Sequence, residues 1–464
     1  MFATDDTIVA IATPAGPGGI GVVRVSGPSS TTIANSMLRR ATPLKPRHAT
    51  VTEAVIPDSG KVIDRVVATY FPRPGSYTGE DIVEVSGHGN PLLLRQIVSV
   101  AITAGARLAE PGEFTFRAYL NGRIDLVQAE AVADLADAVT PRQARAAFDQ
   151  LEGTMTLGVE KIDRELFDLI SLLEASLDFP EEGYHFVDKQ NVASAATALS
   201  TQVSQLLASA DQGRLLREGC QVAIIGKPNV GKSTLFNSLC GVPRAIVTGT
   251  AGTTRDLLTE KIDLGGIPIA LVDTAGIHET DDPVEAEGVD RAQRTVTVAG
   301  AVVVVLDGSC PLTNRDYKIL EDTKGMRRLV VVSKRDLPCA WAVESEPLVG
   351  VAARVFEACL LSDNQTVLET VRHQLISVIE DSDNEVHTKV RRDIPAVTNL
   401  RHIELLRKTQ SALARAASAA IAGAAEELAI TDLQEARSAL EEMLGKRTPD
   451  AVIERIFERF CIGK

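Results

Sequence analysis

QVAIIGKPNVGKSTLFNSL, Gln221 to Leu239, joins a short apolar run, a glycine-punctuated loop and a helical pattern. Val222 to Ile225 reads as a buried strand. Gly226 and Gly231 permit the tight turn through which backbone N–H groups converge on a polyphosphate. Lys232 then reaches the β and γ phosphates, and Ser233 offers a hydroxyl to Mg²⁺. The spacing of Leu235, Phe236 and Leu239 starts a helix whose N-terminal dipole faces the anion. An accidental Gly-rich turn would not come with strand, loop and helix in that order. A nucleotide site is therefore expected over Asn229, Val230, Gly231, Lys232, Ser233 and Thr234.

The loop lies in the middle of 464 residues, a length that suits about three domains, each able to bury a core. Lys and Arg total 48 against 62 Asp and Glu, a net charge of −14, which argues against nonspecific coating of nucleic acid. Any RNA contact must be local and selective. The six cysteines, Cys220, Cys240, Cys310, Cys339, Cys359 and Cys461, form no CxxC pair, which disfavours a zinc site and a disulfide framework. The opening MFATDDTIVAIATPAG has early acids and no long apolar core, so it does not read as a signal peptide. No run is long enough to cross a membrane, and a cytoplasmic location is expected.

The further nucleotide motifs follow in order. IPIALVDTAG reads as a buried strand ending in Asp273, placed to hold Mg²⁺ through water, with Thr274 and Ala275 expected at the nucleotide and Gly276 next, whose N–H can sense a γ-phosphate. Upstream, Thr248 and the loop Gly249, Thr250, Ala251, Gly252, Thr253 and Thr254 form a polar segment in which Thr254 can complete the Mg²⁺ shell. Downstream, Ser333, Lys334 and Asp336 follow an apolar strand, and a carboxylate there accepts both N–H donors of a guanine edge. GTPases usually carry Asn at the position of Ser333 and a small residue at that of Asp363, so weakened base affinity is expected.

Ile277 stands where some GTPases place a catalytic Gln, and Ile cannot orient water. Glu285 is the candidate to position it; the alternative is a solvated helix charge beside Glu287 and Asp290. The amide oxygen of Asn229, with carbonyls of Thr248, Thr250 and Thr253, can coordinate a monovalent cation beside the phosphates, in place of an arginine finger.

Around this module the texture changes twice. The first 120 residues alternate β-branched and polar residues between Gly and Pro, whereas AEAVADLADAV, DRELFDLISLLEASLDF and the closing LLRKTQSALARAASAAIAGAAEELAI carry helical spacing. The expected fold is multidomain: an N-terminal α+β domain over 1–119, an all-α helical domain built from two chain segments, 120–216 and 381–464, and an inserted Ras-like α/β P-loop GTPase domain over 217–380. Two unrelated helical domains are the alternative.

DTIVAIATPAGPGGIGVVRVSG, YTGEDIVEVSGHGN, AEPGEFTFRAYLNGRIDLVQAEAVADL, LEASLDFPEE, GKPNVGKST, GTAGTTRD, DTAG, VTNLRH and the terminal FCIGK together resemble the tRNA uridine modification GTPases called MnmE or TrmE. The resemblance implies an N-terminal domain that dimerises and binds 5-formyl- or methylene-tetrahydrofolate, with Arg24, Glu84, Arg123 and Lys464 at the folate-binding positions. It implies potassium ligands at Asn229, Thr248, Thr250 and Thr253, Mg²⁺ ligands at Ser233 and Thr254, a catalytic Glu285, and a role in modification chemistry for Cys461. A plain packed thiol is the alternative for Cys461. The implied work is formation of an aminomethyl-type group at carbon 5 of the wobble uridine of certain tRNAs. A homodimer would perform it with the flavoprotein MnmG or GidA, which supplies FAD, in a heterotetramer or larger complex with no membrane. A regulatory RNA- or ribosome-associated GTPase and a folate-binding scaffold with a vestigial GTPase remain the rival classes.

Overall fold

The computed structural model describes residues 5–178, 189–241, 259–273, 299–341, 354–359, 365–380 and 397–464. Contacts divide the chain into two units, one of Met1–Ala136, Ala147–Val203 and Leu405–Lys464, the other of Asp137–Ala146 and Ser204–Glu404.

In the first unit, alternation in GGIGVVRVS and VIDRVVATYF becomes a six-stranded sheet of β1 (Ile8–Ile11), β2 (Gly18–Ser26), β3 (Thr50–Val55), β4 (Val62–Phe71), β5 (Ile82–Gly89) and β6 (Arg107–Leu108), in the order β3-β4-β5-β2-β1-β6. Neighbours are antiparallel except β1 with β6. Because side chains alternate between faces, Val9, Val23, Val25, Val83 and Val85 meet Ile33 and Met37 of α1 (Ser30–Met37) and Leu94 and Ile97 of α2 (Pro91–Thr103). Asn90 caps α2 by accepting the Leu92 N–H at 2.8 Å, and Pro91 occupies the first turn, where its missing N–H costs nothing. Ile8 and Ala10 turn the other way, onto Phe114 of α3 (Glu113–Leu120).

Helix α3 leads into the helical part of this unit: α4 (Leu126–Asp137), α5 (Pro141–Leu151, shared by the two units), α6 (Thr154–Asp178) and α7 (Lys189–Leu207). Near the end of the chain come α12 (Leu400–Ile421), α13 (Glu426–Leu444) and α14 (Asp450–Phe457). Phe116 meets Phe457 edge-on with ring centres 5.2 Å apart, Phe460 stacks beside it, and the Tyr119 hydroxyl donates to Gly445 O at 2.5 Å. Arg437 of α13 donates to Asp163 at 3.2 Å and lies 4.5 Å over the Phe167 ring, joining α13 to α6.

The second unit contains α8 (Ala210–Glu218) and a sheet ordered β12-β11-β10-β7-β9-β8. Its strands are β7 (Cys220–Ile225), β8 (Thr259–Leu264), β9 (Ile267–Asp273), β10 (Ala301–Asp307), β11 (Arg328–Ser333) and β12 (Arg354–Glu357). All neighbours run parallel except β8 with β9. Every residue of AVVVVLD in β10 is buried, as expected for a parallel strand covered on both faces. Helices α9 (Lys232–Cys240), α10 (Asn314–Asp322) and α11 (Gln365–Ile379) follow β7, β10 and β12. Strand order reverses at β7, between β10 and β9, so the chain leaving β7 enters the crevice where such sheets bind ligands.

Candidate functional site

At the end of β7 the backbone must turn tightly beneath the neighbouring strand. A Cβ on Gly226 would lie 2.4 Å from Val305 O, so only glycine fits. The loop bends through Asn229 at φ 62°, with an exposed side chain, and delivers Lys232 to the first turn of α9. The Lys232 ammonium is buried and donates to Gly226 O at 2.9 Å and Lys227 O at 2.7 Å. Burial lowers its pKa; Asp273 opposes that shift and Arg315 adds to it. A cation held this way has already shed most of its water, and its two carbonyl partners are ones that anionic oxygens can replace.

Asp273 ends β9 opposite Ile224 and is buried; the Ser233 hydroxyl donates to its Oδ2 at 3.2 Å. A hydroxyl and a carboxylate side by side form an all-oxygen donor pair suited to a hard divalent cation. Lys227 is anchored elsewhere, 2.6 Å from Asp316 and 3.2 Å from the Thr313 hydroxyl, in the capping box that opens α10.

The C-terminal end of β11 is tied to the loop that follows β7. The Ser333 Oγ lies 2.6 Å from Val230 O and 3.0 Å from Leu306 O, donating its proton to one at a time. The departure from Asn therefore keeps a link between loop and strand. Lys334, at φ 57°, sets its ammonium 2.6 Å from Asp307 Oδ2. Burial alone would raise the Asp307 carboxyl, but Lys334 and Ser309 outweigh it and hold the group below its usual range. Asp336 is exposed and accepts the Cys359 thiol at 3.3 Å, leaving carboxylate oxygen for a base edge. Asp307 belongs to no motif of the sequence, and its signal there is that an acid closes a fully buried strand. Thr248, Gly249, Thr250, Ala251, Gly252, Thr253, Thr254, Thr274, Ala275, Gly276, Glu285 and Asp363 lie outside the described residues.

In the first unit, Arg24 and Glu84 face each other across β2 and β5, and the guanidinium donates to Glu84 Oε1 at 2.9 Å. Its carbon sits 5.3 Å from the Tyr77 ring centre and 5.6 Å from that of Phe114. Burial pushes the Tyr77 phenol up, so it stays a neutral partner of Thr115, 2.8 Å away. A planar cation, an acid and two rings thus share one place. Tyr77 and Phe114 went unnoticed in the sequence because their spacing there predicts no neighbourhood.

Arg123 is exposed just after α3, beside the turn at Gly79. The tail of the chain lies against β1: Gly463 takes φ 97°, and a Cβ there would meet Ile11 O at 2.3 Å. Lys464 is half-buried and Cys461 exposed. Ile11 pairs with Val23, the neighbour of Arg24, so the tail reaches the strand next to the Arg24–Glu84 pair.

The same unit holds a network invisible to motif reading. Arg117, 1% exposed, donates to Asp6 O at 2.7 Å, Asp6 Oδ1 at 2.5 Å, Glu113 at 2.9 Å and Glu80 at 3.2 Å. Arg107 adds bonds to Asp6 at 2.7 Å and Glu113 at 2.6 Å. Among the described residues there is no His, Cys, Asp and Glu cluster fit to hold a metal, and no helix long and apolar enough to cross a membrane.

Comparison with known proteins spans the whole chain. Residues 126–461 match a family model described as the MnmE helical domain, and residues 7–123 one described as the GTP-binding protein TrmE N-terminus. The chain is 41% identical to the tRNA modification GTPase MnmE of Syntrophotalea carbinolica over 466 residues, covering 99% of each. It is 39% identical to that of Geobacter sulfurreducens over 469 residues, again 99% of each. Among solved structures, the G domain of the T. maritima FeoB iron transporter is 20% identical, covering 34% of this chain and 98% of that one, with a TM-score of 0.26.

Proposed function

The chain belongs to the MnmE family of tRNA modification GTPases, and on that premise we propose a division of labour between its units. The second unit is a potassium-dependent GTPase that times the work. The first holds a tetrahydrofolate one-carbon unit, and a flavoprotein partner of the MnmG or GidA kind supplies FAD. The product is the (carboxymethyl)aminomethyl group at carbon 5 of the wobble uridine. One observation carries this reading: the similarity runs through residues 7–123 as well as 126–461. A regulatory GTPase without modification chemistry would need to share only the nucleotide module.

In the nucleotide site, Ser233 would hold Mg²⁺ directly and Asp273 would hold it through water, and the ion when bound neutralises charge on the β and γ phosphates. Lys232 binds the same phosphates, and Asp336 accepts the two N–H donors of the guanine edge. Thr254 and Gly276 would complete the switch elements, and Glu285 would position the attacking water. Arg24, Arg123 and Lys464 supply cations for the carboxylates of a folate, and Glu84 an acceptor for its N–H edge. Cys461 is the candidate nucleophile toward the pyrimidine. The family resemblance supports a homodimer.

The potassium role rests on Asn229, whose side chain is exposed in the phosphate loop; its partners would be carbonyls of Thr248, Thr250 and Thr253. GTP hydrolysis is expected to run at least about tenfold faster in K⁺ than in Na⁺, as for one missing transition-state donor or cation, and Asn229→Ala should erase the difference. Equal wild-type rates in the two salts would remove potassium from the mechanism.

For the modification role, tRNA from a deletion strain should lack the modified wobble nucleoside. Wild-type protein should restore it, and Arg24→Ala should not. An unchanged nucleoside profile in the deletion strain would leave only a regulatory GTPase.

A further inference from the structure

We propose that the pocket between the β8–β9 turn and α11 binds a phosphorylated small molecule through Arg372, at a site separate from the phosphate loop. The pocket has a volume of about 480 Å³, and its walls include Asp263, Gly265, Thr366, Thr370, Arg372 and His373. Two carboxylates, Asp263 and Glu369, also line it, and the Oδ1 of Asp263 accepts the Gly266 N–H at 2.6 Å to close the turn. Arg372 is paired at only one end. It is 8% exposed, and among the described residues its Nε makes no hydrogen bond. The one carboxylate given to it there is Glu369, 3.7 Å away and itself 63% exposed.

A guanidinium carries five donors in a rigid fork, and burying its Nε donor without an acceptor is unfavourable. The same fork matches two oxygens of a phosphate. His373, exposed on the next position of α11, adds a second donor at the mouth. A water takes about 30 Å³ of liquid, so the space holds far more than a bare phosphate and admits the organic body attached to one. The site is remote from the nucleotide: β9 runs from this turn to Asp273, about 20 Å at 3.3 Å per residue. The turn is also held from its other side, where the Thr140 hydroxyl donates to Gly266 O at 2.7 Å.

The test uses the full chain with its phosphate loop saturated by GDP and Mg²⁺, titrated calorimetrically with inorganic phosphate, sulfate and glycerol 3-phosphate. Saturable binding of glycerol 3-phosphate is expected, tighter than that of either inorganic anion. Arg372→Gln should weaken it by about tenfold or more and Arg372→Lys by a smaller factor, since lysine keeps the charge and loses the fork. GDP affinity should not change. His373→Ala, at an exposed position, should weaken binding about threefold and decides the matter if the Arg372 variants fail to fold. No saturable binding up to roughly 20 mM overturns the proposal, as does equal affinity for all three probes or indifference to every substitution.

Discussion

Replacing Lys232 with alanine is expected to lower kcat/KM for GTP hydrolysis by about 10³-fold. Hydrogen bonds to a charged group contribute about 1.5–3 kcal/mol each, and two lost at the phosphates amount to roughly 4 kcal/mol, or three decades in rate. The geometry explains why nothing nearby substitutes. Lys227, the other cation of the loop, is pinned 2.6 Å from Asp316. Lys232→Arg should not rescue, because the ammonium sits in a close cradle, 2.9 and 2.7 Å from two carbonyls, that a planar fork cannot enter. Burial also lowers the Lys232 pKa, so the nucleotide-free loop surrenders its positive charge earlier on the alkaline side than an ordinary lysine would. Steady-state hydrolysis and GTP binding check this together. A fall of less than tenfold would mean that Lys232 is not the phosphate cation.

Arg117→Met should destabilise the first unit by about 3–5 kcal/mol, the range for removing one partner of a buried charge cluster. Methionine fills similar volume but leaves Glu113, 0% exposed, with Arg107 as its remaining cation. The molecule offers a clean readout. Its single tryptophan, Trp341, lies in the second unit, where its indole N–H donates to Asp307 O at 3.0 Å. Urea unfolding followed by circular dichroism should shift, while the transition seen by Trp341 fluorescence should stay in place. Coincident shifts in both signals would show that Arg117 does not act locally.

The same network predicts a pH dependence. Burial alone would raise the Asp6 carboxyl, but hydrogen bonds and charge from Arg107 and Arg117 outweigh it and hold the group below its usual range. A lowered folded pKa contributes stability that is fully present above the unfolded value and is lost as pH falls through the folded one. The wild type should therefore weaken on the acid side of ordinary aspartate titration, and Arg117→Met should lose part of that dependence.

The second unit was open to reading because its signals are local. Strand, loop and helix between Cys220 and Cys240 need only neighbours in the chain, and AVVVVLD announces a strand covered on both faces. Ser333 was harder. Its type suggested a weakened base site, yet its hydroxyl reaches Val230, 103 positions back, a link that depends on β11 and β7 lying in one sheet. The Asp6–Arg107–Arg117 cluster was closed to sequence reading for the same reason. Its bonds span 101 and 111 residues, and an Arg on a helix pattern reads as solvated until the packing around it is known. Arg24 and Glu84 became intelligible only through strand register, which puts one opposite the other.

The Tyr119–Gly445 bond joins positions 326 residues apart. At about 5–20 residues per second of synthesis, a ribosome needs on the order of 16 to 65 seconds to make the stretch between them. Throughout that interval Phe116 and Tyr119 of α3 lack the native partners Phe457, Phe460 and Gly445, which have not been made. The strands of the GTPase sheet, complete by Glu357, emerge earlier. Synthesis order thus separates the two units: the residues of the second sheet are all made before the partners that complete the aromatic seam of the first.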